Sequence, residues 1–229
     1  MSGGRVTELA TAPPLSAKLH RTADGWDLHL VGSAASLLEG DELTVHLSVG
    51  AGDVLTVRSA AATMVHPCPG SGSARVSVQA TVRERGFCAW LVAPTIVAAG
   101  GGLNVATTVA VAPGGRLLWR EELHLGRTGE PAQDATVIAR LDVERDGRPV
   151  LRDGIDTTRP GAHGPAVLGG ARAISTTVLV ADAVDPPPGF VALAAHGAVE
   201  RWLGTELADH ARRRVHGSLA RPAGCAWAR

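Results

Sequence analysis

The 229-residue sequence contains no tyrosine, only two phenylalanines and five tryptophans, so aromatic residues amount to 3%. Single-stranded nucleic acids are held on stacked rings, and a chain this poor in rings has little to build such a platform with. Sugar-binding faces draw on rings in the same way. Lysine occurs once, at Lys18, and Lys plus Arg matches Asp plus Glu at 22 each, leaving no net charge. Without an excess of positive charge there is no general counterion-release drive toward nucleic acid. The three cysteines, Cys68, Cys88 and Cys225, are odd in number and irregular in spacing. That is a poor disulfide framework and suits a reducing compartment. No run of about 18 apolar residues is present, and the first 14 residues lack an apolar stretch after a basic start. Neither a membrane span nor a secretory leader is expected, and the expected location is the cytoplasm.

What the chain does contain is alternation. Leu28 and Leu30, then Leu43, Val45, Leu47 and Val49, then the run from Val54 to Val57 place apolar side chains on one face of short extended segments. Further strands are expected at 75–82, 87–91, 105–111, 116–125, 135–144 and 174–181. Glycine-rich turns separate them at 39–41, 50–53, 69–72, 113–115 and 146–149, where glycine accepts a positive φ without steric cost. The expected fold is mainly β: a variable tail over 1–17, then one β-rich domain over 18–229. Val92 to Gly102 holds a proline and a glycine run and reads as a loop crossing between sheets. Val199, Trp202, Leu203, Leu207, Ala211 and Val215 recur at helical spacing. They predict an amphipathic helix over about 197–216, followed by a tail over 217–229. No internal repeat of fixed period stands out.

Motifs for catalysis are missing. There is no Gly-x-Ser-x-Gly elbow, no phosphate-binding loop ending in Gly-Lys-Ser/Thr, and no paired Cys-x-x-Cys. His66 and Cys68 form the one local pair with metal-ligand chemistry, imidazole plus thiolate, but two donors do not close a site and the flanking prolines mark a turn. His20, His29, His46 and His124 fall on expected strands as exposed or hydrogen-bonded side chains. Glu121 and Glu122 face opposite ways if extended. Local pattern reads them as a solvated strand edge paired with Arg120 and Arg127. Trp26, Trp90, Trp119 and Trp202 read as core or sheet-packing residues.

The order of phrases adds more. Gly40-Asp41-Glu42-Leu43, Val49-Gly50-Ala51-Gly52, Ala60 to Val65 (AAATMV), Trp90 to Ile96 (WLVAPTI), Val111 to Trp119 (VAPGGRLLW) and Val143 to Pro149 (VERDGRP) follow one another. So do Leu125-Gly126-Arg127 and Gly129-Glu130. Together they resemble the urease accessory protein family UreD (UreH), in an actinobacterial form. Met64 stands where the family has lysine, Val92 where it has proline, and Arg120-Glu121-Glu122 where it has aspartate.

The resemblance implies stacked or helically wound sheets with a C-terminal helix and one more helix. It also implies a scaffold without catalytic activity that binds apo-urease together with UreF and the GTPase UreG, in a dimer of complexes. No cofactor is held tightly; nickel passes through in transit. Asp41, Glu121 and Glu130 are the implied contacts of that passage, with His66 and Cys68 as weaker candidates. Thr63 and Thr95 are read as turn residues. The competing readings are a β-rich module that binds protein or carbohydrate without a nickel role, and an enzyme with a dispersed site.

Overall fold

A computed structural model describes residues 4–34, 37–67, 70, 72–194 and 196–207. Fifteen strands build two sheets that face each other. In the first lie β1 (Leu15–Arg21), β2 (Trp26–Gly32), β4 (Val54–Ser59), β7 (Phe87–Leu91), β10 (Arg116–Leu125), β13 (Ala173–Val180), β15 (Gly197–Gly204) and β14 (Val191–Ala192), in that spatial order. Two short strands, β5 (Thr63–Val65) and β8 (Thr95–Val97), branch from the far end of β10. The second sheet runs β12 (Arg148–Asp156), β11 (Thr136–Arg145), β9 (Gly102–Val111), β6 (Ala74–Val82), β3 (Glu42–Val49).

The chain winds between these sheets. β3, β6, β9 and β11 are parallel neighbours in one, while β4, β7 and β10 are parallel neighbours in the other. Each coil therefore stacks on the one before it, as in solenoids. Antiparallel pairs close both flanks: β1 with β2, β11 with β12, and β10 with β13 followed by β15.

At one end the coils turn tightly, over residues 50–53, 83–86 and 112–115. The third residue of each turn is left-handed: Gly52 at φ 74, Arg85 at φ 58 and Gly114 at φ 73. Backbone bonds such as Ala112 N–H to Val82 O (2.8 Å) and Arg83 N–H to Val49 O (3.0 Å) carry the ladder from turn to turn. At the opposite end the crossings are longer, and Leu37, Val65, Val97 and Leu125 stack beneath them, all buried. This repeat is structural. Successive turns are unequally spaced in sequence, so no fixed period marks it.

The core lies between the sheets. Inward residues of β7 and β10 place Trp90 directly beside Trp119, their rings stacked at 4.7 Å with 6° between planes. Leu117, Val57, Val109, Val111 and Val143 pack around them. Outside the first sheet, Val184 and Phe190 cover Ala89, Leu118 and Leu179.

Every expected strand between 26 and 181 is present. The crossing over 92–102 does pass between sheets, but β8 forms inside it because Val65 and Leu125 offer pairing on either side. The C-terminal helix is corrected over its first half. Residues 197–204 form β15, because β13 is buried along its whole length and needs a second ladder partner beyond β10. Residues 208–216, the remainder of that expected helix, lie outside the described residues. Among the described residues there is no α-helix, only a 3₁₀ turn at Ala132–Asp134, and hence none long and apolar enough to cross a membrane.

Candidate functional site

β10 sits in the middle of the first sheet and carries Arg120, Glu121 and Glu122. A pleated strand sends successive side chains to opposite faces, so Glu121 joins Leu117 and Trp119 on the inner side. Glu122 and Arg120 point outward and are buried there, 3.8 Å apart with side chains 1% and 5% exposed. The expected solvated edge is thus a central strand carrying a buried pair. Covering layers outside the sheet are invisible to local pattern, which is why the residues read otherwise in sequence. Arg127 belongs elsewhere, to Glu130.

Glu121 is the polar centre of the interior. Its Oε1 accepts hydrogen bonds from Thr107 Oγ1 (2.7 Å) on β9 and from Trp119 Nε1 (2.9 Å). Glu121 also borders a cavity of about 390 Å³ between the sheets. Burial pushes this carboxyl above the usual glutamate range; the two donated hydrogen bonds and Arg201 pull the other way, and Asp153 adds to the rise. The cavity runs between the sheets to a mouth at Pro14, Gly32 and Ala61, and its walls are chiefly aliphatic. Thr63 and Thr95, expected in turns, are register partners in β5 and β8 and line this cavity.

On the other side of Glu121 lies a void of about 20 Å³, room for one water, bordered by Thr176 and the Asp153–Arg201 ion pair. Arg140, Asp153 and Gly154 border that void and also an outer groove of about 680 Å³ across β6, β9, β11 and β12. Three spaces therefore adjoin one another from the mouth at one edge to the outside of the second sheet. Glu121 stands between the first two and Asp153 between the last two.

The other sequence candidates sit at the long-crossing end. Half-buried Asp41 immediately precedes β3, and its Oδ2 accepts the Leu38 N–H (2.9 Å). Glu130 clasps two crossings: Oε2 accepts the Ala99 N–H (2.9 Å) and the Arg127 N–H (2.8 Å), and Oε1 the Arg127 Nε–H (2.6 Å). Those donors, Arg127 first, hold its carboxyl down at about 2. His66 follows β5, with its backbone N–H bonded to Leu37 O. Cys68 lies outside the described residues. Neither Asp41 nor Glu130 borders the cavity, and among the described residues no three metal-donor side chains converge.

Sequence reasoning passed over Thr107, Asp153 and Arg201. Thr107 shares the inward parity of Val109 and Val111, a signal present in the strand pattern. Asp153 and Arg201 are 48 residues apart and meet only through the flanking antiparallel strands. Cys88 is fully buried, and desolvation pushes its thiol up to about 12. Trp119 is fully buried, and Trp90 is buried against it at the wall of the cavity, so both rings serve packing as the sequence suggested.

Comparison with known proteins follows the same outline. A family model described as UreD urease accessory protein matches residues 2–229. A urease accessory protein UreD of Parafrankia sp. is 35% identical over 208 residues, covering 80% of this chain and 69% of the relative. One of Frankia alni is 40% identical, covering 68% of this chain and 58% of the relative. One of Streptomyces avermitilis is 42% identical, covering 66% and 60%. The chain thus spans less than two thirds of the length of the latter two relatives.

Proposed function

Because the chain belongs to the UreD urease accessory protein family, we propose that it serves urease maturation as a scaffold without catalytic activity and as a conduit for nickel. The succession of spaces through Glu121 carries this reading. Six first-shell waters occupy about 180 Å³, so the cavity of about 390 Å³ admits a fully hydrated divalent cation. Its aliphatic walls offer few ligands to trap an ion, and weak, spaced contacts favour passage over storage. Glu121 supplies an anionic oxygen once deprotonated, and a cation beside it favours that state. Asp153, beyond it, is the next carboxylate on the line.

In this reading the partners are apo-urease, UreF and the GTPase UreG, and nickel is cargo. Nucleotide hydrolysis falls to UreG, in keeping with the missing phosphate loop. Glu130 holds the loops at one end of the solenoid, and its contribution is to shape.

Glu121→Gln is the test. Glutamine keeps an oxygen for both accepted hydrogen bonds and removes the charge. Urease matured with this variant is expected to contain less nickel under limiting supply, while pull-down of apo-urease and UreF is unchanged. Full nickel occupancy with Glu121→Gln and with Asp153→Asn would remove the line of spaces from the function.

A further inference from the structure

Leu43 and Val45 on β3, Val76 on β6, Val105 on β9 and Leu123 on β10 face inward between the sheets, yet each is only half-buried. They border the cavity of about 390 Å³ and leave apolar surface bare inside the fold. A cavity of that size, with aliphatic walls and a few placed polar groups, has the form of a small-ligand pocket. Glu121 stands at its inner end, and both hydrogen bonds donated to it fall on Oε1. From β10 to β2, where the mouth lies, the first sheet crosses three ladder spacings, about 14 Å, the extended length of roughly ten carbons.

We propose that this cavity takes up a small amphiphile: an unbranched aliphatic chain of that length, its uncharged hydrogen-bonding head against Glu121 and its tail toward the mouth. The wall chemistry favours a hydrocarbon over an inserted peptide segment. Polar side chains on the wall are few, and several are already engaged. Ser59 Oγ donates to Ala61 O and accepts the Ala93 N–H, and Thr107 Oγ1 donates to Glu121. A peptide would bring N–H and C=O groups that find little to bond there, a desolvation cost that methylenes do not carry. Methylenes instead cover the bare faces of Val45, Val76 and Val105, removing apolar surface from water on both sides. Burial holds the Glu121 proton beyond the usual glutamate range, which matches that carboxyl to a head, such as a hydroxyl, that both donates and accepts. A carboxylate head is disfavoured, because it would place a second acid beside Glu121 in an aliphatic enclosure. While bound, the chain closes the cavity to a hydrated cation; that consequence rests on the conduit reading, and the binding itself does not.

The full chain is titrated calorimetrically with the straight-chain primary alcohols hexanol, octanol, decanol and dodecanol, and with decanoate. Affinity is expected to rise about threefold per added methylene up to decanol and to level off at dodecanol, whose tail leaves the mouth. Decanoate is expected to bind about tenfold or more weakly than decanol. Glu121→Leu removes the partner of the head and is expected to weaken decanol about fivefold while keeping the gain per methylene. Val105→Phe, and Val45→Phe nearer the mouth, fill the space and are expected to lose about tenfold or more. Independently of any substitution, nuclear Overhauser contacts are expected from decanol to the methyl groups of Val45, Val76 and Val105, and none to those of Leu118 and Leu179 outside the sheet. Wild type that binds no alcohol, affinity that does not grow with chain length, or contacts confined to Leu118 and Leu179 would overturn the proposal. So would folded phenylalanine variants that bind decanol as wild type does. Failure of the conduit is read separately, from the nickel content of urease matured with Glu121→Gln, and leaves these outcomes unchanged.

Discussion

Replacing Trp119 by phenylalanine probes the joint between core and cavity. The indole is fully buried, stacks on Trp90 and donates Nε1–H to Glu121. Phenylalanine keeps one six-membered ring and loses the N–H. The lost hydrogen bond to a carboxyl group costs about 1–3 kcal/mol. The vacated space, roughly 40 Å³, adds about 1 kcal/mol, and the smaller stack about 0.5 kcal/mol. The expected loss is about 2.5–4.5 kcal/mol, a melting temperature lower by roughly 5–18 °C for a chain of this length. Urea unfolding followed by far-ultraviolet circular dichroism reads it without relying on tryptophan emission. A double-mutant cycle with Glu121→Leu isolates the hydrogen bond, with an expected coupling of about 1 kcal/mol or more. If Trp119→Phe costs the same in both backgrounds within about 0.3–0.5 kcal/mol, the indole–carboxyl bond contributes nothing and the assignment of Glu121 as the polar centre is refuted.

Further outcomes concern charge and backbone. Glu121 has a raised folded-state pKa, so the native state holds its proton longer than the unfolded chain and native stability falls as pH rises between the unfolded and folded values. Glu121→Gln should therefore gain stability relative to wild type as pH rises above the ordinary glutamate range, and parallel pH profiles would contradict this. Glu130 is depressed to about 2, so its contribution is present above the ordinary glutamate range and disappears as pH falls through about 2. Glu130→Ala should flatten that acid limb and speed amide exchange at Ala99 and Arg127, seen by hydrogen exchange. Gly114→Ala tests the tight turns: a Cβ there meets nothing nearer than 3.6 Å, so the cost is that of φ 73 alone, about 1–2 kcal/mol in denaturant unfolding. Cys88, with its thiol near 12, should resist iodoacetamide in the native protein and react on unfolding, as judged by peptide mass spectrometry.

Alternation of apolar residues located β2–β4, β6, β7, β9–β11 and β13, because a side-chain period of two is local and survives without knowledge of neighbours. Turn chemistry was equally legible at Gly52, Gly114 and Gly147, where the backbone takes positive φ. Arg85 occupies the same turn position without glycine, so the repeat it completes stayed hidden until the turns were stacked. The order of short phrases pointed to the family, since each phrase is tied to a strand–turn junction of the solenoid. By contrast, partners decide what a segment becomes and where a charge resides. Val199, Trp202 and Leu203 have helical spacing, yet β13 required a ladder partner and drew them into β15. Glu121 and Glu122 look alike in sequence. One faces the interior cavity and the other a covered outer face, because β10 became central rather than an edge. The junction of Glu121 and Thr107, on consecutive strands, with Asp153 and Arg201 draws in β12 and β15 from farther along the chain. Only the stacking of coils, a long-range packing outcome, placed those side chains on one line.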